Sequence, residues 1–166
     1  MGAAGFDKAW PEPVERVSAA LREAGAEARI EEFSIGTPTA EDAARAVGCA
    51  LRQIVKSLLF DCDGQPVLVL VPRNRRADPA KVAARTGARR ARVAGAAQVE
   101  EATGYAPGAV APVALRRVER VLLDRSLLAE GLIWVGAGTT RHIAGLPPAE
   151  LLRVSRAEPV DVATDT

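Results

Sequence analysis

The sequence predicts a single α/β domain over residues 1–166, in which helices pack on a mixed, partly barrel-like β-sheet. Two strongly apolar runs, at residues 54–60 and 66–71, flank the turn-forming segment 61–64, and this pattern is typical of a β-hairpin. More strands are predicted than a regular alternation of strands and helices would supply. This excess favours a mixed sheet over a doubly wound parallel one.

Start and stop signals along the chain predict five helices. Thr39 can cap the second of them, Asp42 at its third position can answer that cap, and Gly48 can end it. Proline residues begin the first and the last helix. The predicted helices span residues 11–24, 40–47, 78–84, 97–103 and 147–152.

Apolar or alternating segments between these helices predict further strands. Besides the two strands of the hairpin, they cover residues 28–33, 120–123, 131–135, 141–144 and 160–162. Residues 72–76 and the Gly/Pro-rich segment 104–112 are predicted to be loops, Cys62 is placed in the hairpin turn, and residues 1–8 are expected to be flexible.

The charge of the chain restricts its partners. It has 22 Lys and Arg against 21 Asp and Glu, a net charge of +1, which excludes a polycation that coats nucleic acid. Contact with nucleic acid would need a local patch, and a solvated, arginine-rich surface is the alternative interpretation. The candidate patch consists of Arg73, Arg75, Arg76, Lys81, Arg85, Arg89, Arg90 and Arg92.

The cysteines and the apolar segments predict a cytoplasmic protein that does not contact membranes. Cys49 and Cys62 lack a CxxC spacing, so we expect two inert thiols rather than a disulfide framework. The first residues do not form a signal pattern. No apolar run approaches the roughly 20 residues that span a bilayer.

Several catalytic chemistries lack their residues in this sequence. His142 is the only histidine, and no ligand spacing places it with the cysteines around zinc. No GxSxG turn is present to expose a serine nucleophile. The glycine-rich segment 136–140 lacks the lysine of a Walker motif and the third glycine of a dinucleotide fingerprint. We therefore expect neither a metal nor a cofactor.

Three features remain as candidates for a functional site. Lys56 lies in an apolar strand, where a lysine must pair, extend to solvent or face a cleft. The glycines of residues 104–112 allow a ligand to approach the backbone, and His142 closely follows Gly136 and Gly138. Taken singly, each also fits a structural role: a lysine at the rim of a sheet, an ordinary loop, and a buried histidine bonded to a carbonyl.

Four segments follow one another in a characteristic order. They are residues 37–44 (TPTAEDAA), residues 53–60 (QIVKSLLF), the GYxxG…P pattern of residues 104–112, and Gly136-Ala137-Gly138 with His142. Together, over residues 32–162, they resemble the YbaK/ProX family of aminoacyl-tRNA deacylases. The same domain is inserted in bacterial prolyl-tRNA synthetases as an editing module.

The resemblance implies hydrolysis of the ester that joins an amino acid to the 3′ end of tRNA. The implied substrate is tRNA for proline carrying a small residue such as Ala, Cys, Ser or Thr, and prolyl-tRNA synthetase is an implied partner. Gly108-Ala109 stands where cysteine-specific members tend to have two glycines, and Ala111-Pro112 stands where many members have Ser-Pro. The identity of the amino acid therefore stays open.

The resemblance also suggests roles for individual residues. Lys56 matches an essential lysine, and the backbone near Gly108 is expected to hold the ester carbonyl. The candidates for substrate binding are Gly104, Tyr105, Ala109, Pro112, Gly136, Gly138, Thr139 and His142, and those for tRNA contact are Arg73, Arg75 and Arg76. Two alternatives stay open: a non-catalytic module that binds tRNA or a synthetase, and a small esterase that uses a serine such as Ser57.

Overall fold

A computed structural model describes residues 9–34 and 39–165 of the chain. The expectation that residues 1–8 are flexible, and the first two residues of the predicted motif, Thr37 and Pro38, lie outside the described residues. Within the described part, the chain forms five α-helices and ten strands in three sheets.

The helices form where capping residues predict them. They are α1 (Glu12–Glu23), α2 (Ala40–Val47), α3 (Pro79–Thr86), α4 (Ala96–Thr103) and α5 (Pro148–Ser155). At the beginning of α2, the Thr39 hydroxyl accepts a hydrogen bond from the Asp42 N–H at 3.0 Å, and the Asp42 carboxylate accepts from the Thr39 N–H at 3.2 Å. Gly48 ends this helix with a φ of 72°. The predicted capping box is confirmed.

The largest sheet is mixed, with the order β5-β2-β3-β6-β9. Its strands are β2 (Val55–Cys62), β3 (Gln65–Pro72), β5 (Ala91–Val93), β6 (Arg120–Asp124) and β9 (Glu158–Val160). Strand β2 runs antiparallel to β3 and β5, whereas β6 runs parallel to β3 and β9. The predicted mixed α/β fold is confirmed, but none of the sheets in the described residues closes into a barrel.

Two smaller sheets complete the fold. Strands β1 (Arg29–Glu32), β7 (Ile133–Gly136) and β8 (His142–Leu146) form an antiparallel sheet in the order β1-β8-β7. Strands β4 (Arg75–Ala77) and β10 (Ala163–Asp165) form an antiparallel pair. A parallel bridge between Ile54 and Trp134 joins the beginning of β2 to β7.

The structure corrects several predicted boundaries. Cys62 is buried at the end of β2, and the turn consists of Asp63 and Gly64, with φ values of 53° and 91°. Such a two-residue turn with positive φ matches the twist of a hairpin. Strand β4 occupies part of the predicted loop 72–76. In place of the single closing strand predicted at 160–162 there are two strands, β9, which ends at residue 160, and β10. Strand β5 was not predicted.

Alternation along β2 divides its side chains between two cores. Val55 and Leu59 pack on one face with buried residues of α1 and of the segment 105–113. Leu58 and Phe60 pack on the opposite face, against Val82 of α3 and its neighbours. Lys56 therefore belongs to the Leu58 face, and Ser57 belongs to the Val55 face.

Candidate active site

A cleft of about 170 Å³ lies where β2 begins and β7 ends. It brings together six residues that the sequence singled out from distant parts of the chain. They are Lys56, Arg73, Gly108, Gly136, Thr139 and His142. The apolar part of the wall is formed mainly by Phe33, Ile54, Val110 and Trp134. A cleft of this size suits a small amino acid rather than a whole nucleotide.

Lys56 is half-buried as the second residue of β2. Burial lowers the pKa of its ammonium group, and the nearby positive charges of Arg73 and Arg76 lower this pKa further. Neighbouring cations repel each other, and an anion bound beside Lys56 and Arg73 in the cleft would relieve this repulsion. The arrangement is therefore suited to a phosphate or to an oxygen that becomes negative during a reaction.

Ser57, the next residue, also borders the cleft, but from the other face of the strand. Its Oγ is buried and has no hydrogen-bond partner among the described residues. A serine nucleophile needs a base within hydrogen-bonding distance. Since the described residues supply no such base, the geometry does not favour the esterase alternative.

Gly108 lies in a turn of the segment 104–112, with a φ of 82°. The Ala109 N–H donates to the Ala106 carbonyl across this turn at 3.0 Å. A side chain at Gly108 would meet only Thr140 Cγ2 at 3.8 Å, so the backbone at this position is open towards the cleft. An exposed stretch of main chain beside a lysine can hold a carbonyl oxygen.

His142, the first residue of β8, is 3% exposed and faces the cleft. The Thr139 hydroxyl and the His142 Nδ1 are hydrogen-bonded at 2.5 Å. The Glu32 carboxylate lies 3.8 Å from Nε2, and the Trp10 ring meets the imidazole edge-on at 5.5 Å between centroids. Contacts on three sides fix the plane of this ring, as expected of a group that forms a pocket wall.

The two glycines of the 136–138 segment have different roles. A Cβ at Gly136 would lie 2.5 Å from the Val110 carbonyl oxygen, so this glycine lets β7 touch the segment 104–112. Gly138 has a φ of 109°, and a Cβ there would lie 2.7 Å from the Pro13 carbonyl oxygen. Gly136 thus shapes the cleft directly, whereas Gly138 packs against the beginning of α1 and does not line the cleft.

Four of the proposed substrate contacts in the segment 104–112 do not line the cleft. Gly104 ends α4, and its carbonyl accepts a hydrogen bond from Arg16 at 3.0 Å. Tyr105 is buried in the core, where its hydroxyl donates to the Val113 carbonyl at 2.8 Å. Ala109 and Pro112 are buried as well and do not line the cleft. Gly104 and Tyr105 thus help to hold the segment in place, whereas contact of any of the four with a substrate stays a prediction.

The three arginines proposed to contact tRNA also separate. Arg73 is exposed and lines the cleft, and Arg76 is exposed on β4, outside the cleft wall. Arg75 instead forms ion pairs with Asp124 at 3.1 Å and Asp165 at 3.2 Å. Asp124 is buried and also accepts the N–H groups of residues 162 and 163. Arg75 therefore fastens β10 to the fold.

A wider groove of about 720 Å³ lies at the opposite end of the β2–β3 hairpin. Two of the arginines that line it, Arg117 and Arg120, are paired with Glu101 and Glu158. Cys62 also lines the groove, and burial raises the pKa of its thiol. This groove contains none of the residues that the motifs identified, so the smaller cleft is the candidate active site.

Sequence reasoning missed several residues of the cleft wall. Trp134, Ile54 and Phe33 read as ordinary core residues, and they form a separate small cluster beside the cleft. Trp10 precedes α1 and lies far from every motif along the chain. Aromatic residues make up only 4% of the chain, and this scarcity is the one feature of the sequence that singles out the two tryptophans.

Neither a membrane-spanning helix nor a group of metal ligands is found among the described residues. No helix in residues 9–34 or 39–165 is long and apolar enough to cross a membrane. Within the same ranges, no three His, Cys, Asp or Glu residues gather in a group that could hold a metal ion.

Residues 36–154 match the model of the aminoacyl-tRNA editing domain family. Protein YwhH of Bacillus subtilis, whose role is uncharacterised, is 31% identical over 137 residues, which cover 82% of this chain and 87% of that protein. The proline–tRNA ligase of Maridesulfovibrio salexigens is 36% identical over 102 residues, or 61% of this chain. These residues span only 17% of the ligase.

Comparison with solved structures gives a similar result. The crystal structure of a candidate trans-editing enzyme for prolyl tRNA synthetase matches with a TM-score of 0.88 and 34% identity. The match covers 94% of this chain and 99% of that chain.

Proposed function

The chain belongs to the family of aminoacyl-tRNA editing domains, and we propose that it acts in trans as a deacylase of mischarged tRNA. The observation that carries this proposal is the single small cleft shared by Lys56, Gly108 and His142. This cleft places a cation and accessible main chain in a space of limited volume. The cation and main-chain N–H groups are suited to stabilising the charge that develops during ester hydrolysis, and the limited volume suits a small acyl chain.

In the proposed mechanism, Lys56 binds the phosphate of the 3′-terminal adenosine or an ester oxygen beside it. Arg73 in the cleft wall and Arg76 outside it add positive charge near the lysine. Backbone N–H groups near Gly108, other than the Ala109 N–H that is bonded to the Ala106 carbonyl, hold the ester carbonyl and stabilise the oxyanion that forms on attack. A fixed donor of this kind typically contributes a factor of about 10²–10³ to the rate.

The attacking group in this proposal is water, assisted by a ribose hydroxyl or the side chain of the substrate: the water oxygen bonds to the carbonyl carbon, the bond to the ribose oxygen breaks, and a proton of the water passes to that oxygen. An aminoacyl ester is already activated, so correct positioning is the main requirement. Ser57 has no base beside it in the described residues, which supports a mechanism without a protein nucleophile.

The cleft also suggests how correctly charged tRNA is spared. A volume of about 170 Å³ bounded by His142, Thr139 and Trp134 leaves little room beyond a small side chain. Larger acyl groups would be excluded by clash, which is the basis of double-sieve editing. We propose tRNA for proline carrying Ala, Cys, Ser or Thr as the substrate, prolyl-tRNA synthetase as a functional partner, and the cytoplasm as the place of action.

The proposal is tested by offering tRNA charged with Ala, Cys, Ser, Thr or Pro and measuring ester hydrolysis. We expect hydrolysis of at least one small acyl group, and a fall in kcat/KM of about 10²–10³ for Lys56→Ala. Arg153→Ala is the control, because Arg153 pairs with Glu150 and belongs neither to the cleft nor to the candidate nucleic-acid patch. Its activity should equal that of the wild type.

Two results would contradict the proposal. Full activity of a folded Lys56→Ala variant would remove the assigned role of the lysine. Binding of charged tRNA by the wild type without hydrolysis of any ester would instead identify a non-catalytic tRNA-binding module.

A further inference from the structure

Trp10 forms an aromatic contact with the histidine of the cleft although it lies outside every motif. Its ring meets the His142 imidazole at a centroid distance of 5.5 Å and an interplanar angle of 88°. This edge-to-face geometry is one that aromatic pairs prefer. Trp10 also precedes residues 36–154, so the family match does not cover it.

The segment that carries Trp10 is fastened to both loops of the cleft. On one side, the Pro13 carbonyl occupies the space where Gly138 lacks a side chain. On the other side, the Arg16 guanidinium donates to the Gly104 carbonyl at 3.0 Å and lies 5.0 Å from the Tyr105 ring centroid. The position of the indole relative to the cleft is therefore determined by α1.

Two further contacts of the imidazole are polar and lie at its ring nitrogens. Thr139 bonds Nδ1, and Glu32 lies beside Nε2. Such contacts act at the edge of the ring, whereas the indole is a large side chain that packs against it. A bulky neighbour limits how far a ring can tilt, and Trp10 is such a neighbour of His142.

We propose that Trp10 is a positioning residue that holds His142 against the cleft and thereby sets the largest acyl group that the cleft accepts. The inference rests on the proposed function and adds a specificity determinant to it. Without the indole, the imidazole can withdraw and the cleft becomes larger. Acyl groups that are excluded from the wild-type cleft then enter it.

The test compares the hydrolysis of prolyl and alanyl esters on the same tRNA. For Trp10→Ala we expect the ratio of kcat/KM for the prolyl ester to that for the alanyl ester to rise about tenfold, the effect of roughly one methylene of extra space. Trp10→Phe, which retains an aromatic edge, should restore most of the wild-type ratio. Val93→Ala is the control, since Val93 is exposed on β5, which pairs with the end of β2 that lies away from Lys56.

A second measurement separates positioning from general damage. His142 is the only histidine, so its imidazole signals in a ¹H–¹³C NMR spectrum are unambiguous. Loss of the indole ring current should shift these signals in Trp10→Ala and leave them unchanged in Val93→Ala. A merely structural role of Trp10 would lower stability without changing the selectivity ratio.

The outcomes are distinguishable. An active wild type whose Trp10→Ala variant keeps both the selectivity ratio and the His142 signals would overturn this inference alone. A wild type that hydrolyses no charged tRNA would contradict the proposed function, and this inference would fail with it.

Discussion

At the scale of single residues, Tyr105 belongs to a sequence motif but does not line the cleft. The glycine-rich pattern predicted it as part of the substrate pocket, yet its hydroxyl is bonded to the Val113 carbonyl inside the core. Burial raises the pKa of Tyr105 to about 12, although the nearby Arg16 guanidinium acts in the opposite direction. A phenol in this environment stays neutral at neutral pH.

Substitution of Tyr105 by Phe should therefore affect stability rather than catalysis. Loss of the hydrogen bond to Val113 should lower the free energy of unfolding by about 1–2 kcal/mol, because the carbonyl stays buried without its donor. Deacylation rates should stay within about twofold of the wild type at temperatures where the variant is folded. A large fall in kcat at unchanged stability would return Tyr105 to the substrate pocket.

The same tyrosine provides a direct titration, because it is the only one in the chain. Its absorbance near 295 nm should change around pH 12 in the native protein and around pH 10 after unfolding. The neutral phenol is favoured by the fold, so its contribution to stability is complete below pH 10 and is lost as the pH rises from 10 to 12. A native transition near pH 10 would contradict burial of the hydroxyl.

At the scale of elements, the junction between α1 and the segment 136–141 depends on Gly138. Alanine at this position combines a φ of 109° with a Cβ 2.7 Å from the Pro13 carbonyl oxygen. Strain and overpacking together should lower the free energy of unfolding by about 2–4 kcal/mol. The urea midpoint measures this loss.

Gly87→Ala is the matched control for Gly138→Ala. Gly87 also has a positive φ, 74°, but a Cβ there would meet no atom within 4 Å. Its substitution should cost only the backbone strain, about 1 kcal/mol. Equal losses in the two variants would show that the contact between Gly138 and Pro13 does not limit stability.

The elements that could be predicted are those whose signals are local. Thr39, Asp42 and Gly48 lie within one helix and its caps, and α2 has the predicted bounds of residues 40–47. The two apolar runs similarly specify the β2–β3 hairpin, although the strands extend further than the apolar residues do. In both cases the residues that decide the structure are neighbours along the chain.

The elements that were missed depend on distant partners. Strand β4 has three residues, two of them arginines, and it is a strand because β10 pairs with it from the other end of the sequence. The same limit applies to the cleft. The motifs predicted Lys56, Gly108 and His142, but no local pattern placed Trp10 against His142 or Arg75 against Asp124.

At the scale of the whole molecule, the net charge is only +1, but the charged side chains are distributed unevenly. Many arginines form ion pairs, among them Arg45, Arg52, Arg117, Arg120 and Arg153. Arg73 is exposed beside the cleft and forms no salt bridge with a described carboxylate, and it lies close enough to Lys56 to lower the pKa of that residue. Positive charge is thus available for a ligand at the same edge as the candidate catalytic residues.

This distribution predicts different outcomes for two neighbouring arginines. If Arg73 contacts a phosphate of tRNA, Arg73→Gln should weaken binding regardless of sequence and reduce the slope of log Kd against log salt concentration by about 1.

Arg75→Gln should leave that slope unchanged, because Arg75 is used within the fold. It should instead lower the free energy of unfolding by about 3 kcal/mol, since the buried Asp124 loses its partner. Filter binding at several salt concentrations and urea unfolding measure the two effects independently. An altered slope for Arg75→Gln, with stability retained, would mean that the ion pair opens to meet the RNA. The tRNA surface would then extend from the cleft across β4 towards β10.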